Sequence, residues 1–201
     1  WKLFKGDPKR EKSIFSVTPE GWLNVKNGPG DLQTENQFDD FILQLECLSN
    51  GKHLNSGLFF RCLADQYQQG YEAQIRNQFT EQPTQKYIIE EYDPKTHKLL
   101  GKKTITSPAV DFGTGAIYRR MPARRGLARD GEWFTMTVVA RGRHIATWVN
   151  GTQVVDWHDH RPAKPNARQG FYDKPGAISI QGHDPTTDLS FRNIRVGSLV
   201  R

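Results

Sequence analysis

Short segments in which apolar and polar residues alternate recur along the chain, and turn-forming residues separate them. Side chains of a strand point to the two faces of its sheet in turn, so this period of two predicts β-strands with one buried face. The pair Asn150-Gly151 is typical of a two-residue hairpin turn, because both residues tolerate positive φ. No segment longer than about ten residues has the apolar period of a helix. The sequence therefore predicts an all-β protein, a two-sheet antiparallel β-sandwich or jelly roll.

Eleven strands are predicted. They cover residues 21–25, 40–48, 56–63, 70–76, 86–92, 99–106, 132–141, 143–150, 152–157, 176–183 and 188–196. Two long loops, 108–130 and 157–175, are expected to shape a binding site, as long loops on a rigid scaffold usually do. A chain of 201 residues favours one domain over residues 1–201. No apolar run approaches the roughly 18 residues that span a membrane.

The two cysteines fall on predicted strands, and both occupy apolar positions. In a hairpin around Asn50-Gly51, the residue opposite Cys47 is near position 57, well away from Cys62. A disulfide needs a short Cα separation, so this register favours two buried free thiols.

The formal charge is +6, and much of the excess belongs to one predicted loop. The loop carries Arg119, Arg120, Arg124, Arg125 and Arg129. Such a cluster is compatible with phosphate contacts, with an acidic partner, or with a solvated loop that also meets a second subunit. No signature of a nucleic-acid-binding fold accompanies it, so no nucleic acid partner is expected.

The polar faces of several predicted strands carry residues that suit a polyol better than plain solvent. If these strands share a sheet, one face gathers Glu46, Arg61, Glu72, Gln74, Gln181 and His183. Carboxylates, amides, a guanidinium and an imidazole beside aromatic residues are groups that bind sugar hydroxyls.

Ten motifs follow one another in order along nearly the whole chain. They are Trp22-Leu23, Gly30-Asp31-Leu32-Gln33-Thr34, Asp40-Phe41, Asn55-Ser56-Gly57-Leu58-Phe59-Phe60-Arg61, Gly70-Tyr71-Glu72-Ala73-Gln74-Ile75, Thr114-Gly115-Ala116-Ile117-Tyr118, Gly131-Glu132-Trp133, Trp148-Val149-Asn150-Gly151, Gln181-Gly182-His183 and Phe191-Arg192-Asn193-Ile194-Arg195. In this order they resemble the 3-keto-disaccharide hydrolase family, long described only as a domain of unknown function. The resemblance implies a concanavalin A-like lectin/glucanase sandwich, a carbohydrate partner, and a periplasmic or extracellular location.

One departure from the family pattern lies between Ile75 and Thr114, where segment 76–113 is similar to an insertion. An extra hairpin there would cover or narrow the site, and it would limit the size of the substrate.

The resemblance implies a glycoside whose C3 hydroxyl has been oxidised to a ketone, which acidifies the hydrogen on C2. We expect Glu72 to remove that proton, because partial burial raises the pKa of a carboxyl group. Arg61 would stabilise the enolate or pair with Glu72, and His183 would act as an acid or second base.

The remaining predicted site residues would hold the sugar. Glu46, Gln74 and Gln181 would orient hydroxyl groups, and Tyr118 would contact the substrate. Trp148 is interpreted either as an aromatic platform for a sugar ring or as a packing residue. A different mechanism, direct hydrolysis by two carboxylates, would use Glu46 and Glu72.

Metal sites and cofactors are not expected. The run His158-Asp159-His160 lacks a further ligand set, so zinc is disfavoured. Calcium bound through loop oxygens stays open, but the acidic residues Asp31, Asp173 and Asp184 form no recognisable series. Asp31, Thr34 and Asn55 are interpreted as turn-stabilising residues.

Three functions therefore remain open: a glycoside-cleaving enzyme, a non-catalytic carbohydrate-binding module of the same fold, and an interaction domain whose arginine loop engages an acidic partner. The fold alone does not choose between them, because one sandwich hosts many functions.

Overall fold

The computed structural model describes residues 1–200, which form fourteen strands and two short 3-10 helices. The strands are β1 (Lys2–Leu3), β2 (Ile14–Val17), β3 (Leu23–Lys26), β4 (Gly30–Gln33), β5 (Phe41–Ser49), β6 (Ser56–Cys62), β7 (Tyr71–Ile75), β8 (Gln85–Tyr92), β9 (Leu99–Ser107), β10 (Trp133–Arg141), β11 (His144–Val149), β12 (Thr152–His158), β13 (Ala177–Gly182) and β14 (Asp188–Ser198). The 3-10 helices are Pro8–Arg10 and Val110–Phe112.

Two antiparallel sheets pack face to face. One has seven strands in the order β12-β11-β10-β5-β14-β3-β2, and the other has five in the order β1-β4-β13-β6-β7. Apolar residues at alternate strand positions fill the space between them, as Phe41 and Leu43 of β5 and Phe60 and Ala73 of the smaller sheet illustrate. The predicted all-β sandwich is confirmed.

Segment 76–113 contains the hairpin β8–β9, which forms a two-stranded sheet of its own. Near its base, the Tyr87 and Phe112 rings lie 4.0 Å apart, and the amide of Phe112 donates to the Tyr87 hydroxyl at 2.9 Å. At its tip, His97 Nδ1 lies 3.0 Å from the carbonyl oxygen of His160. The hairpin is thus anchored to the sandwich at both ends.

A β-bulge interrupts β6. Ala177 of β13 pairs with Cys62 and Ser179 pairs with Phe59, so three steps along β6 face two steps along β13. Arg61 takes up the extra residue with a φ of 50°. Residues beyond the bulge therefore point to the opposite face from the one that strict alternation predicts.

The bulge gives Cys62 a different orientation from the one that strict alternation along β6 predicts. Cys62 does not share a face with Leu58 and Phe60, but packs with Phe59 and Ala177 on the outer side of the sheet. Cys47 lies in the main core, and both thiols are buried and free, as predicted. Burial raises the pKa of both thiols well above the ordinary value.

Candidate functional site

The outer face of the five-stranded sheet is polar, yet it is buried. Opposite-strand pairs place Glu72 next to Phe59, Phe59 next to Ser179, and Ser179 next to Gln33. Six polar residues of this face are at most 6% exposed, namely Asp31, Gln33, Glu72, Gln74, Ser179 and Gln181. Charged and amide side chains are rarely buried so fully without a specific role.

Two loops cover this face. Loop 63–70 contacts it where Gln33 Nε2 donates to the Gln66 carbonyl oxygen at 3.2 Å. Arg168, from the second loop, lays its guanidinium carbon 5.2 Å from the centre of the Phe59 ring. The polar face is therefore the floor of an enclosed site and not a solvated surface.

Glu72 lies on the floor of the site next to Gly57 of the neighbouring strand β6, and this glycine has no side chain. A Cβ added at Gly57 would lie 2.7 Å from Glu72 Oε1, so the carboxylate fits only because residue 57 is glycine. The other oxygen, Oε2, lies 3.4 Å from Arg168 Nη1. Burial raises the pKa of Glu72 to about 7, although the Arg168 charge opposes this shift.

A second carboxyl on the same face belongs to Asp31, and a short chain of contacts connects it to Glu72. Asp31 Oδ2 accepts the Gln68 amide at 3.3 Å, and the Gln68 carbonyl oxygen accepts Arg168 Nε at 2.9 Å. Burial is also the main reason that the pKa of Asp31 is raised to about 7. A negative charge raises the pKa of a neighbouring acid, so the Asp31 carboxylate contributes to the raised pKa of Glu72.

Two glutamines of the floor have buried amide oxygens without a partner among residues 1–200. These are Oε1 of Gln74 and Oε1 of Gln181. An unpaired buried polar group costs about 1–3 kcal/mol, so it is uncommon outside functional sites. Neither oxygen is accessible to solvent, so hydroxyl donors of a bound polyol would reach them only if the covering loops moved.

A cavity of about 90 Å³ opens beside Glu72, lined also by Tyr118, Arg119, Arg120 and Arg168. Tyr118 is fixed there because its amide donates to the Glu72 carbonyl oxygen at 2.9 Å. These lining residues come from both loops that the sequence predicts to shape a site.

The structure thus brings together four of the predicted site residues: Glu72, Gln74, Gln181 and Tyr118. Glu72 and Gln74 lie on β7, Gln181 lies on β13 opposite Asp31, and Tyr118 lines the cavity.

Arg61 does not join them. Its side chain is fully buried, and Nη2 lies 3.1 Å from Asp40 Oδ1. Nε donates to the Asp39 carbonyl oxygen at 2.7 Å, and Nη1 donates to that of Gly142 at 2.8 Å. The prediction that Arg61 and Glu72 share a face is wrong, because the bulge in β6 turns Arg61 away from the outer face.

His183 also lies apart from Glu72. It follows the end of β13, where Nδ1 is 2.7 Å from Asp184 Oδ2, and its side chain is 41% exposed. Through Phe59, Ser179 of β13 is level with Glu72 of β7, two strands away. His183 is four residues further along from Ser179, so the backbones of His183 and Glu72 are about 16 Å apart. This distance separates His183 from the predicted base.

Glu46 and Trp148 belong to the seven-stranded sheet and point to its outer side. Glu46 Oε2 accepts Arg192 Nε at 2.7 Å and Oε1 accepts Asn193 Nδ2 at 2.6 Å, and these bonds lower its pKa. Trp148 is half-buried in β11 opposite Thr137. Since Glu46 and Glu72 lie on opposite outer faces of the sandwich, the two-carboxylate pairing predicted for direct hydrolysis is wrong.

Sequence reasoning missed two members of the site. Asp31 was assigned to a turn, yet it lies within β4, and the alternation of Gly30 and Leu32 with Asp31 and Gln33 is the signal that indicated a strand. Arg168 carries no local signal, because its position depends on the path of a long loop.

A possible metal-binding group lies elsewhere. His144, Asp156 and His158, on strands β11 and β12, place their ligand atoms within 4.8 Å of one another. They lie on the outer side of the seven-stranded sheet and not on the face that carries Glu72. Asp159 is not part of the group, because Arg161 binds it through Nε and Nη2 at 2.8 and 2.7 Å.

The model of one protein family, described as the 3-keto-alpha-glucoside-1,2-lyase-like domain, matches residues 1–197. The chain belongs to this family. The resemblance found in the sequence motifs is thereby confirmed, and the lyase-like family covers both sheets and the hairpin β8–β9. No curated protein matches the sequence.

Solved structures share the fold of this lyase-like chain. A "putative glycosyl hydrolase" from Parabacteroides distasonis ATCC 8503 has a TM-score of 0.65 at 18% identity and covers 98% of this chain and 87% of its own. A second one from that organism has a TM-score of 0.64 at 22% identity, with 99% of each chain covered. The carbohydrate binding module CBM66 from Bacillus subtilis has a TM-score of 0.58 at 13% identity, covering 98% of this chain and 95% of its own.

Within residues 1–200, no helix has the length and apolar character needed to cross a membrane.

Proposed function

We propose that this protein cleaves 3-keto-glycosides by elimination, with Glu72 as the base that removes the proton from C2. The observation that carries the proposal is a buried carboxyl that lines a cavity and has a pKa raised to about 7. The unpaired amide oxygens of Gln74 and Gln181 lie on the same face of the sheet. At neutral pH about half of such a group is ionised, which suits general base catalysis.

The reaction proceeds through an enolate. The Glu72 carboxylate takes the C2 proton, and the C–H electron pair moves into the C2–C3 bond while O3 gains the negative charge. The enolate then re-forms the C3 ketone and a C1–C2 double bond as the C1–O bond breaks, and the leaving oxygen takes up a proton. Water added across the double bond would give net hydrolysis.

Arg168 takes the electrostatic role that the sequence suggested for Arg61. Its guanidinium lies beside Glu72, at 3.4 Å between Nη1 and Oε2, and a cation at this place stabilises an enolate oxygen that forms next to the base. Gln74 and Gln181 would hold the sugar hydroxyls through their unpaired oxygens.

A non-catalytic carbohydrate-binding module is the second candidate function. The cavity beside Glu72, at about 90 Å³, is smaller than the roughly 300–1,000 Å³ of typical ligand pockets. A protein that only binds one edge of a sugar ring needs no larger cavity. Because the cavity is too small for a whole 3-keto sugar, elimination requires loop 63–70 or the loop 157–175, which carries Arg168, to shift when substrate binds.

The experiment compares matched glycosides, plain and 3-keto, that carry a chromogenic leaving group at C1. Wild-type protein is assayed beside Glu72→Gln and beside Glu46→Gln, which removes the same charge from the other sheet. We expect release from the 3-keto compound alone, a loss of at least about 100-fold in Glu72→Gln, and unchanged rates in Glu46→Gln. Deuterium at C2 should slow release if proton removal limits the rate.

The other outcomes are distinct. Release from the plain glycoside at a similar rate would contradict the keto-dependent mechanism. Binding of both glycosides without any release would favour the carbohydrate-binding module.

The periplasmic or extracellular location and the single domain over residues 1–201 stay predictions from the sequence.

A further inference from the structure

A second, larger cavity lies next to the proposed site, between the hairpin β8–β9 and the sandwich. It measures about 320 Å³ and shares Arg119 and Arg120 with the cavity beside Glu72. The hairpin contributes Tyr92 and Lys102 to its wall, and the start of the Arg168 loop contributes His160 and Arg161. The two cavities therefore adjoin each other at Arg119 and Arg120.

The wall of this cavity, which we call the hairpin cavity, is strongly cationic. Lys102, Arg119, Arg120 and Arg161 line it, and Glu90 is the lining carboxylate. Glu90 Oε1 is 3.8 Å from Lys102 Nζ, so it offsets the charge of Lys102. Within residues 1–200, no carboxylate pairs with Arg119.

Two side-chain nitrogen atoms next to this wall lack a hydrogen-bond partner and are closed off from solvent. Arg161 is 3% exposed, and its Nη1 atom is buried with no hydrogen bond, while Nη2 and Nε bind Asp159. Nδ1 of the neighbouring His160 is also buried and unpaired. An unpaired donor of the buried Arg161 guanidinium is costly, and an anionic oxygen is the acceptor that satisfies such a cation best.

We infer that the hairpin cavity binds an oxyacid anion carried by the part of the substrate that leaves from C1. The chemistry shared by these groups is a carboxylate, sulfate or phosphate whose oxygens accept from Arg119 and Arg120. The hairpin cavity adjoins the cavity beside Glu72 at Arg119 and Arg120. The group that leaves from C1, the carbon next to the one that Glu72 deprotonates, would therefore carry the anion. This inference rests on the proposed function for the orientation of the substrate.

The test measures binding separately from turnover. Phenyl, 4-carboxyphenyl, 4-sulfophenyl and 4-phosphophenyl α-glucosides, each plain and 3-keto, are titrated calorimetrically into the Glu72→Gln variant. We expect the anionic compounds to bind about tenfold or more tightly than the phenyl compound, as charge-assisted hydrogen bonds allow. The three anionic compounds show which oxyacid the cavity prefers.

Arg119→Gln is the diagnostic variant, and Arg125→Gln is its matched control. Both arginines are exposed and lie on the same loop, but Arg125 does not line the cavity. Arg119→Gln should remove most of the preference for the anionic compounds, and Arg125→Gln should retain it. Inorganic sulfate alone should compete with the 4-sulfophenyl glucoside and not with the phenyl glucoside.

The inference is overturned if neutral and anionic compounds bind equally, or if Arg119→Gln and Arg125→Gln weaken binding to the same extent. Since binding is followed without turnover, an anion preference seen in a protein that releases nothing from any 3-keto compound would support the hairpin cavity and reject the proposed catalysis. Turnover of the 3-keto compounds without an anion preference would support the proposed catalysis and reject anion binding in the hairpin cavity.

Discussion

Arg168 Nη1 lies 3.4 Å from Glu72 Oε2, and this ion pair joins a long loop to the floor of the proposed site. Arg168 lowers the pKa of Glu72, whereas burial raises it more. The two effects together bring the carboxyl into the range in which it can act as a base at neutral pH.

Replacement of Arg168 by Gln should therefore change the pH dependence of activity. Without the cation the pKa of Glu72 rises further, so the acid limb of the pH–rate profile should move to higher pH. Loss of the electrostatic partner of the enolate should also lower kcat/KM by about 100-fold. Arg192→Gln, which removes the partner of Glu46, should leave both the profile and the rate unchanged.

The buried carboxyls make stability depend on pH in an unusual direction. Glu72 and Asp31 have folded-state pKa values of about 7, above ordinary values of 4.5 and 3.8, so the folded protein holds their protons more tightly than the unfolded chain. Their contribution is full below about pH 4, is lost as pH rises towards about 7, and is then constant. The measurement is denaturant unfolding between pH 5 and pH 8.

Variants separate this effect from the rest of the titration. In Glu72→Gln the fall in the free energy of unfolding between pH 5 and pH 8 should be smaller by about 1–2 kcal/mol. Glu46→Gln should show no such reduction, because the pKa of Glu46 is lowered and not raised. A Glu72→Gln variant with the pH dependence of wild type would contradict the raised pKa.

Gly57 should be required for activity more than for folding. An added methyl group would lie 2.7 Å from Glu72 Oε1 and 3.1 Å from its Cγ, so Gly57→Ala must displace the carboxylate. Displacement by about 1 Å from the reacting atom costs on the order of 100-fold in rate. Gly101→Ala in β9, where no atom lies within 4 Å of the added Cβ, provides the control for glycine loss within a strand. Steady-state rates and melting curves of the two variants decide the comparison.

The Gln181 side chain should lower the free energy of unfolding while it contributes to substrate binding. Because its Oε1 is buried and unpaired, Gln181→Leu should leave the free energy of unfolding unchanged or raise it by about 1 kcal/mol. The same change should raise KM, since a hydroxyl-binding group is lost. Asn24→Leu should instead be destabilising, because Asn24 Nδ2 donates to Leu189 O at 3.0 Å and to Ser190 Oγ at 3.2 Å. A strongly destabilised Gln181→Leu would show that this amide is structural.

Much of the architecture follows from local alternation, which is why the period of two located most strands. It does not state which sheet a strand joins, and for this reason Glu46 and Glu72 were grouped although they lie on opposite sides of the sandwich. Alternation also fails at a bulge. One extra residue with a φ of 50° was enough to move Arg61 from the predicted site into contact with Asp40.

The position of the proposed base was predictable from the sequence, and the position of its partner was not. Glu72 lies on a regular strand whose apolar neighbours, Tyr71 and Ala73, fix its direction. Arg168 reaches the same place through an irregular loop, and contacts made by such loops depend on tertiary packing that no short sequence pattern records. In the proposed site, loops supply the arginines, and strands supply Glu72, Gln74 and Gln181.

The backbone of the hairpin β8–β9 pairs with neither large sheet, because its two strands form ladder hydrogen bonds only with each other. Changes in its length or charge would therefore leave the register of the strand that carries Glu72 intact. In evolutionary terms, the hairpin proposed to contact the leaving group and the sheet that carries the proposed base can vary independently. If both proposals hold, exchange of this one hairpin between relatives should change the choice of substrate and keep the chemistry.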